Sequence, residues 1–92
     1  MSKKRERLEI IHDILKAILD KGNSARPTHI LYKSNLSHQM LTEYLTELIA
    51  KGFLVEKSDK RMSKQYELTD KGFKYLQEYK IITNFISSYG LE

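Results

Sequence analysis

The chain has 92 residues, with 16 Lys and Arg against 12 Asp and Glu, for a formal charge of +4. That length provides one small domain with a modest buried fraction, in which oligomerisation is a common source of added stability, and the positive balance suits an anionic partner. The absence of cysteine excludes a disulfide framework and a thiolate metal site and fits a reducing compartment, and no apolar run approaches the ~18–20 residues of a membrane span. The opening MSKKRERLE leads into an amphipathic pattern and not into the apolar stretch of a secretion signal.

The spacing predicts a first helix from Lys4 to Lys21, with Leu8, Ile11, Leu15 and Ile18 on one stripe. Ile10, Ile14, Ala17 and Leu19 broaden it, and Gly22 ends it. So wide an apolar face implies burial against more than one neighbour. Lys3, Lys4, Arg5 and Arg7 crowd the helix start, the unfavourable end of its dipole for cations, so they serve either a phosphate contact or a soluble tail. After the polar loop Asn23 to Arg26, Pro27 suits the first position of a short helix running to Lys33, with Ile30 and Leu31 as its apolar contacts.

Ser34, Asn35 and Leu36 then connect to the central stretch, Ser37 to Gly52. Ser37 is a suitable N-cap and Gly52 a suitable stop. Leu41, Tyr44, Leu45, Leu48 and Ile49 share one face, and Gln39, Thr42, Glu43 and Thr46 the opposite one. Two helices joined by so short a turn form a helix-turn-helix candidate. The short polar face of the second could read base edges in a major groove, or simply be solvated.

Beyond Gly52 the period becomes alternating. Phe53, Leu54 and Val55 lead to Glu56, Lys57 and Ser58, a polar tip spans Asp59 to Ser63, and KQYEL returns from Lys64 to Leu68, which is a β-hairpin pattern. Lys57, Lys60, Arg61 and Lys64 place four cations within eight residues. Such a tip, following the second helix directly, can neutralise phosphates or reach a minor groove. Thr69 caps a last helix that runs to about Tyr89, with Asp70 well placed in its first turn. Tyr75, Tyr79, Ile82, Ile86 and Tyr89 recur at spacings of four, three, four and three, an a/d seam, while Ile81 and Phe85 widen the stripe. This surface is expected to pack on the same helix of a second copy; the competing arrangement folds it back over the first helix of its own chain.

The order of helix, short helix, helix, hairpin and long helix, together with the segments EIIHDILKAIL, THILYKSNLSHQMLTEYLTELIAKGFL and YELTDKGFKYL, resembles the small archaeal winged-helix DNA-binding proteins of the Sulfolobus chromatin-protein type. The resemblance implies a mainly α fold with a small β-hairpin: a winged helix-turn-helix over residues 1–72 and an antiparallel coiled-coil dimerisation helix over 73–92. It implies a homodimer that binds double-stranded DNA in the cytoplasm, associated with the nucleoid. The residues it points to are Ser37, His38, Gln39, Thr42, Glu43 and Thr46 on the recognition helix and Lys57, Lys60, Arg61 and Lys64 on the wing. The chain departs from a strongly basic recognition helix, having no Lys or Arg between Ser37 and Lys51 and carrying Glu43 and Glu47. That departure leaves a protein-interaction module on the same scaffold as the alternative.

No catalytic motif stands out. His12, His29 and His38 lack metal-ligand spacing, and Glu43 with Glu47 form an i, i+4 pair expected to face solvent. Neither enzymatic activity nor a cofactor, a metal or a small-molecule ligand is expected.

Overall fold

The computed structural model describes residues 6–90. Its elements are α1 (Arg7–Asp20), α2 (Pro27–Ser34), α3 (His38–Ala50), β1 (Leu54–Ser58), β2 (Lys64–Leu68) and α4 (Asp70–Ser88). The architecture is the mainly helical one expected, with a single hairpin between the third and fourth helices. The expectations for Lys3, Lys4 and Arg5, and for the last two residues of the stretch 73–92, lie outside the described residues.

α1 starts at Arg7, three residues later than the apolar period suggests, because Glu6 is extended and accepts the Ile10 amide as the helix cap. Ile10, Ile11, Ile14, Leu15, Ala17 and Ile18 are buried, so the broad stripe does face several neighbours at once. Leu8, counted in that stripe, is 58% exposed, since it precedes the turns covered by the rest of the domain. Ile14, Leu15, Ile18, Ile30 and Leu54 are essentially inaccessible, each contributing on the order of 1.5–3 kcal/mol by leaving water.

The segment after α1 does more than connect. Ala25 forms a two-way backbone bridge with Tyr66, at 3.1 and 2.9 Å, and the side-chain Oδ1 of Asn23 accepts from the Leu68 amide at 2.8 Å. These bonds tie the α1–α2 loop to β2, whose other edge pairs antiparallel with β1 from Leu54↔Leu68 to Ser58↔Lys64. Ser34, expected in the connection, is the last residue of α2. It is buried and donates its hydroxyl to the Ile30 carbonyl at 2.5 Å.

Asn35, left-handed at φ 55°, then turns the chain into α3. Leu41, Leu45 and Leu48 bury one face of α3, with Tyr44 and Ile49 half-buried beside them. Gly52 takes φ 84°, the left-handed stop that the pattern calls for. Thr69 begins α4 by accepting the Gly72 amide at 3.2 Å while donating to the Gly52 carbonyl at 2.6 Å. Gly72 is buried at a close approach: a Cβ there would lie 2.5 Å from the Phe53 carbonyl oxygen.

Candidate nucleic-acid interface

Ser37 caps α3, its Oγ accepting the Met40 amide at 3.2 Å, so this hydroxyl is committed to starting the helix. Downstream, His38, Gln39, Thr42, Glu43 and Thr46 all lie on the exposed side. The Thr42 hydroxyl donates to the His38 carbonyl at 2.9 Å and that of Thr46 to the Thr42 carbonyl at 2.8 Å. Each hydroxyl proton is thereby turned into the helix, leaving the oxygen's lone pairs to face outward. Gln39 lies along the same surface, its amide 3.4 Å from the Glu43 carboxylate. The exposed strip of α3 is therefore rich in acceptors.

On one flank, His38, Thr42 and Thr46 line a groove of about 290 Å³ whose far wall includes Glu56, Lys64 and Tyr66 of the hairpin. On the other flank α3 meets the start of α1. The Arg7 guanidinium bonds to Glu47 and lies over the Tyr44 ring at 5.4 Å, and Lys51 reaches the same carboxylate oxygen at 2.8 Å. Hydrogen bonding by Arg7, reinforced by Lys51, holds Glu47 down at about 2. Two expectations are corrected here. Glu47 is half-buried and paired instead of solvent-facing, and Arg7, expected at a phosphate or in a loose tail, is engaged by Glu47.

The hairpin tip is built around Asp59. Its Oδ1 accepts the amides of Arg61 at 2.8 Å and Ser63 at 2.9 Å, and its Oδ2 lies 3.3 Å from the guanidinium of Arg26. The backbone bond from Ser63 leads in lowering the Asp59 pKa, with further help from Arg61 and Arg26. Arg26 carries no local signal for this role, because its partner is 33 residues away.

The four cations expected on the hairpin divide into two kinds. Lys57 pairs with Glu67 across the strands at 3.1 Å. Lys60, Arg61 and Lys64 are exposed and have no carboxylate partner among the described residues. Exposed cations thus project from the tip and from the hairpin wall that faces α3.

The five seam residues of α4 also divide. Tyr75 and Tyr79 lie against α1: the Tyr75 hydroxyl donates to the Leu8 carbonyl at 2.7 Å, and the Tyr79 ring stacks on His12 at 4.3 Å. Burial pushes Tyr75 up to about 12. Farther along, Ile86 is half-buried while Ile82 and Tyr89 are exposed, together with Ile81 and Phe85. The distal half of the helix is not folded back over α1.

A family model for the winged helix-turn-helix matches residues 4–87, nearly the whole of this element order. The chain belongs to the winged helix-turn-helix family. α2 and α3 are its helix-turn-helix, α3 is the helix in the recognition position, and the hairpin is its wing. No curated protein sequence matches at a significant level. Among solved structures, the chain is similar to Sso10a-2, a DNA-binding protein from Sulfolobus solfataricus, at 27% identity with a TM-score of 0.75. That similarity covers 94% of this chain and 90% of that one. F93 from STIV, a winged-helix DNA-binding protein, has the same fold at 24% identity, a TM-score of 0.70 and coverages of 87% and 91%. So does MepR, a transcription regulator of the Staphylococcus aureus multidrug efflux pump MepA, at 16% identity and a TM-score of 0.76, where 88% of this chain spans 60% of that protein.

Proposed function

We propose that this winged-helix chain is a homodimeric double-stranded DNA-binding protein, a nucleoid-associated regulator or DNA organiser with no enzymatic activity. The observation that carries the proposal is the set of exposed cations Lys60, Arg61 and Lys64, without a carboxylate partner among the described residues, on a hairpin that shares a groove with the exposed face of α3. Lysine and arginine on such a wing neutralise phosphates and fix the register of the protein on the duplex, while side chains on the helix reach base edges. His38, Gln39, Thr42, Glu43 and Thr46 would face the major groove, with Gln39 able to make a bidentate pair with adenine. The DNA-binding character of Sso10a-2, at 27% identity over most of both chains, supports the assignment.

The part of α4 from Phe73 onward is the dimerisation helix in this proposal, pairing antiparallel with the same helix of a second copy. The support is the apolar surface of distal α4 that no described residue covers, where Ile81, Ile82, Phe85 and Tyr89 are 57–69% exposed. Ile82 of one copy would then face Ile86 of the other, with Tyr79 opposite Tyr89, which keeps a/d residues in contact throughout. The α1 contacts of Tyr75 place it at the edge of the seam and not within it. The pairing would set the two recognition helices at opposite ends of a rod.

One observation favours a second proposal, a protein-interaction module: Glu43 stands in the middle of the exposed face of α3 without a cation among the described residues. Gel shifts with unrelated duplexes across a salt series decide between the two. Retardation at ~50 mM salt that fades steeply with added salt is expected, and its absence at low salt rejects DNA binding. Selection from a random duplex pool then separates a regulator, which enriches a motif, from an organiser, which does not.

A further inference from the structure

The hairpin turn contains an unusual residue. Met62 donates its amide to the Asp59 carbonyl at 3.0 Å, and Asp59 donates to the Ser63 carbonyl at 3.1 Å. Residues 60–62 are thus a three-residue loop closed by Asp59 and Ser63, one step beyond the Ser58↔Lys64 pair that ends the ladder. In such loops the third residue is left-handed, a position that glycine fills without steric cost. Here it is Met62, at φ 62° and 80% exposed. A long side chain with its backbone in that region is uncommon in itself, and an apolar side chain held out into water at the far end of a hairpin adds a second cost.

The turn that presents Met62 is firmly built. The Asp59 carboxylate gathers the Arg61 and Ser63 amides, and Arg26 fastens Asp59 to the body of the domain. Lys60 and Arg61 precede the methionine, Lys64 follows it, and all three are exposed. The pattern is a rigid apolar point surrounded by positive charge. Beside a double helix the cations would sit on phosphates, and the apolar slot within reach of the point is a base step opened from the minor groove. Methionine, unbranched and polarizable, adapts to such an irregular gap.

We propose that Met62 is a wedge that inserts between base pairs in the minor groove and kinks the bound DNA. This rests on the DNA-binding function proposed above and gives the wing a task besides charge neutralisation. Side chains of this type unstack a step and bend the duplex by roughly 20–90°, most easily at flexible steps such as TA.

The test uses the full chain and 30-base-pair duplexes carrying donor and acceptor dyes at their ends, one with a central TA step and one rich in G·C. Wild type should raise energy transfer on binding and prefer the TA duplex. Met62→Gly, which suits the backbone and removes no charge, should bind with the same salt slope, leave the duplex straight and lose the preference for TA. Its thermal midpoint should be no lower than that of wild type, which separates a lost wedge from a damaged fold. Met62→Leu should restore the bend. A bend unchanged in Met62→Gly, or a straight duplex with wild type, overturns the wedge while leaving DNA binding in place. Absence of any complex with wild type at ~50 mM salt removes DNA binding itself, and the wedge with it.

Discussion

Replacing Lys60, Arg61 and Lys64 together with Ala tests the proposed interface most directly, and the structure sets the size of the effect. Each cation that neutralises a phosphate contributes about 0.9 to the slope of log affinity against log salt. All three are exposed without a carboxylate partner among the described residues, so the triple variant should flatten the slope by up to about 2.7. Between 50 and 200 mM salt, wild type should lose roughly 40-fold more affinity than the variant, about 3.5-fold for each contact. Lys57→Ala is the internal control. Glu67 already neutralises Lys57 at 3.1 Å, so its loss should change the slope less than any one of the other three. Fluorescence anisotropy of an end-labelled duplex over a KCl series measures both, with melting curves as the fold check; exposed substitutions of this kind should cost within about 0.5 kcal/mol. A slope unchanged by the triple replacement would move the phosphate contacts off the wing, and equal effects from Lys57 and its neighbours would refute the division by ion pairing.

Wild type should sediment as a dimer and the Ile82→Glu, Ile86→Glu double variant as a monomer, and a dimer that persists in the variant would reject the α4 seam. Gly72→Ala should lower stability by roughly 1–3 kcal/mol, because the new methyl meets backbone at 2.5 Å; a wild-type melting curve would show that the gap can open. Glu47 has its folded pKa depressed from 4.5 to about 2, so the stability it contributes is complete above 4.5 and lost as pH falls toward 2. The urea midpoint of wild type should therefore exceed that of Glu47→Gln near neutrality by a margin that shrinks through this window. A margin independent of pH would mean that the Arg7 contact does not stabilise the carboxylate.

What could be read from the sequence was what neighbouring residues determine among themselves. The Ser37 and Thr69 caps, the stop at Gly52 and the apolar faces of α1 and α3 depend on spacings of a few residues, and each forms as the pattern requires, Leu8 of α1 excepted. Contacts between distant segments have no such signature. Arg7 and Glu47 are 40 residues apart, Arg26 and Asp59 are 33, and the Ala25–Tyr66 bridge joins a loop to a strand. Each changes what a charged or small residue does. Tyr75 and Tyr79 continue the heptad pattern of the distal helix, yet one bonds to Leu8 and the other stacks on His12, because period alone does not distinguish a neighbour in the same chain from one in another. Met62 was hidden within a polar tip, since a positive φ on a residue other than glycine or asparagine leaves no trace in composition.

The acids on α3 acquire different meanings once the fold is known. As a bare helix, with Glu43 and Glu47 and no cation before Lys51, it looks poorly suited to lie near phosphates. The fold turns Glu47 toward α1, where its carboxylate meets Arg7 and Lys51 and its charge is compensated. Glu43 remains, at the centre of a strip whose Thr42 and Thr46 oxygens also point their lone pairs outward. Acceptors are a handicap against phosphates but an advantage on the floor of a major groove, where cytosine N4 and adenine N6 are the donors. In the proposed complex the wing therefore supplies the attraction, acting over a Debye length of about 8 Å, while α3, nearly neutral apart from Glu43, is carried into the groove to select amino groups. Attraction and selection would fall to different elements, linked by the Arg26–Asp59 pair and the Ala25–Tyr66 bridge that fix the wing to the helix-turn-helix.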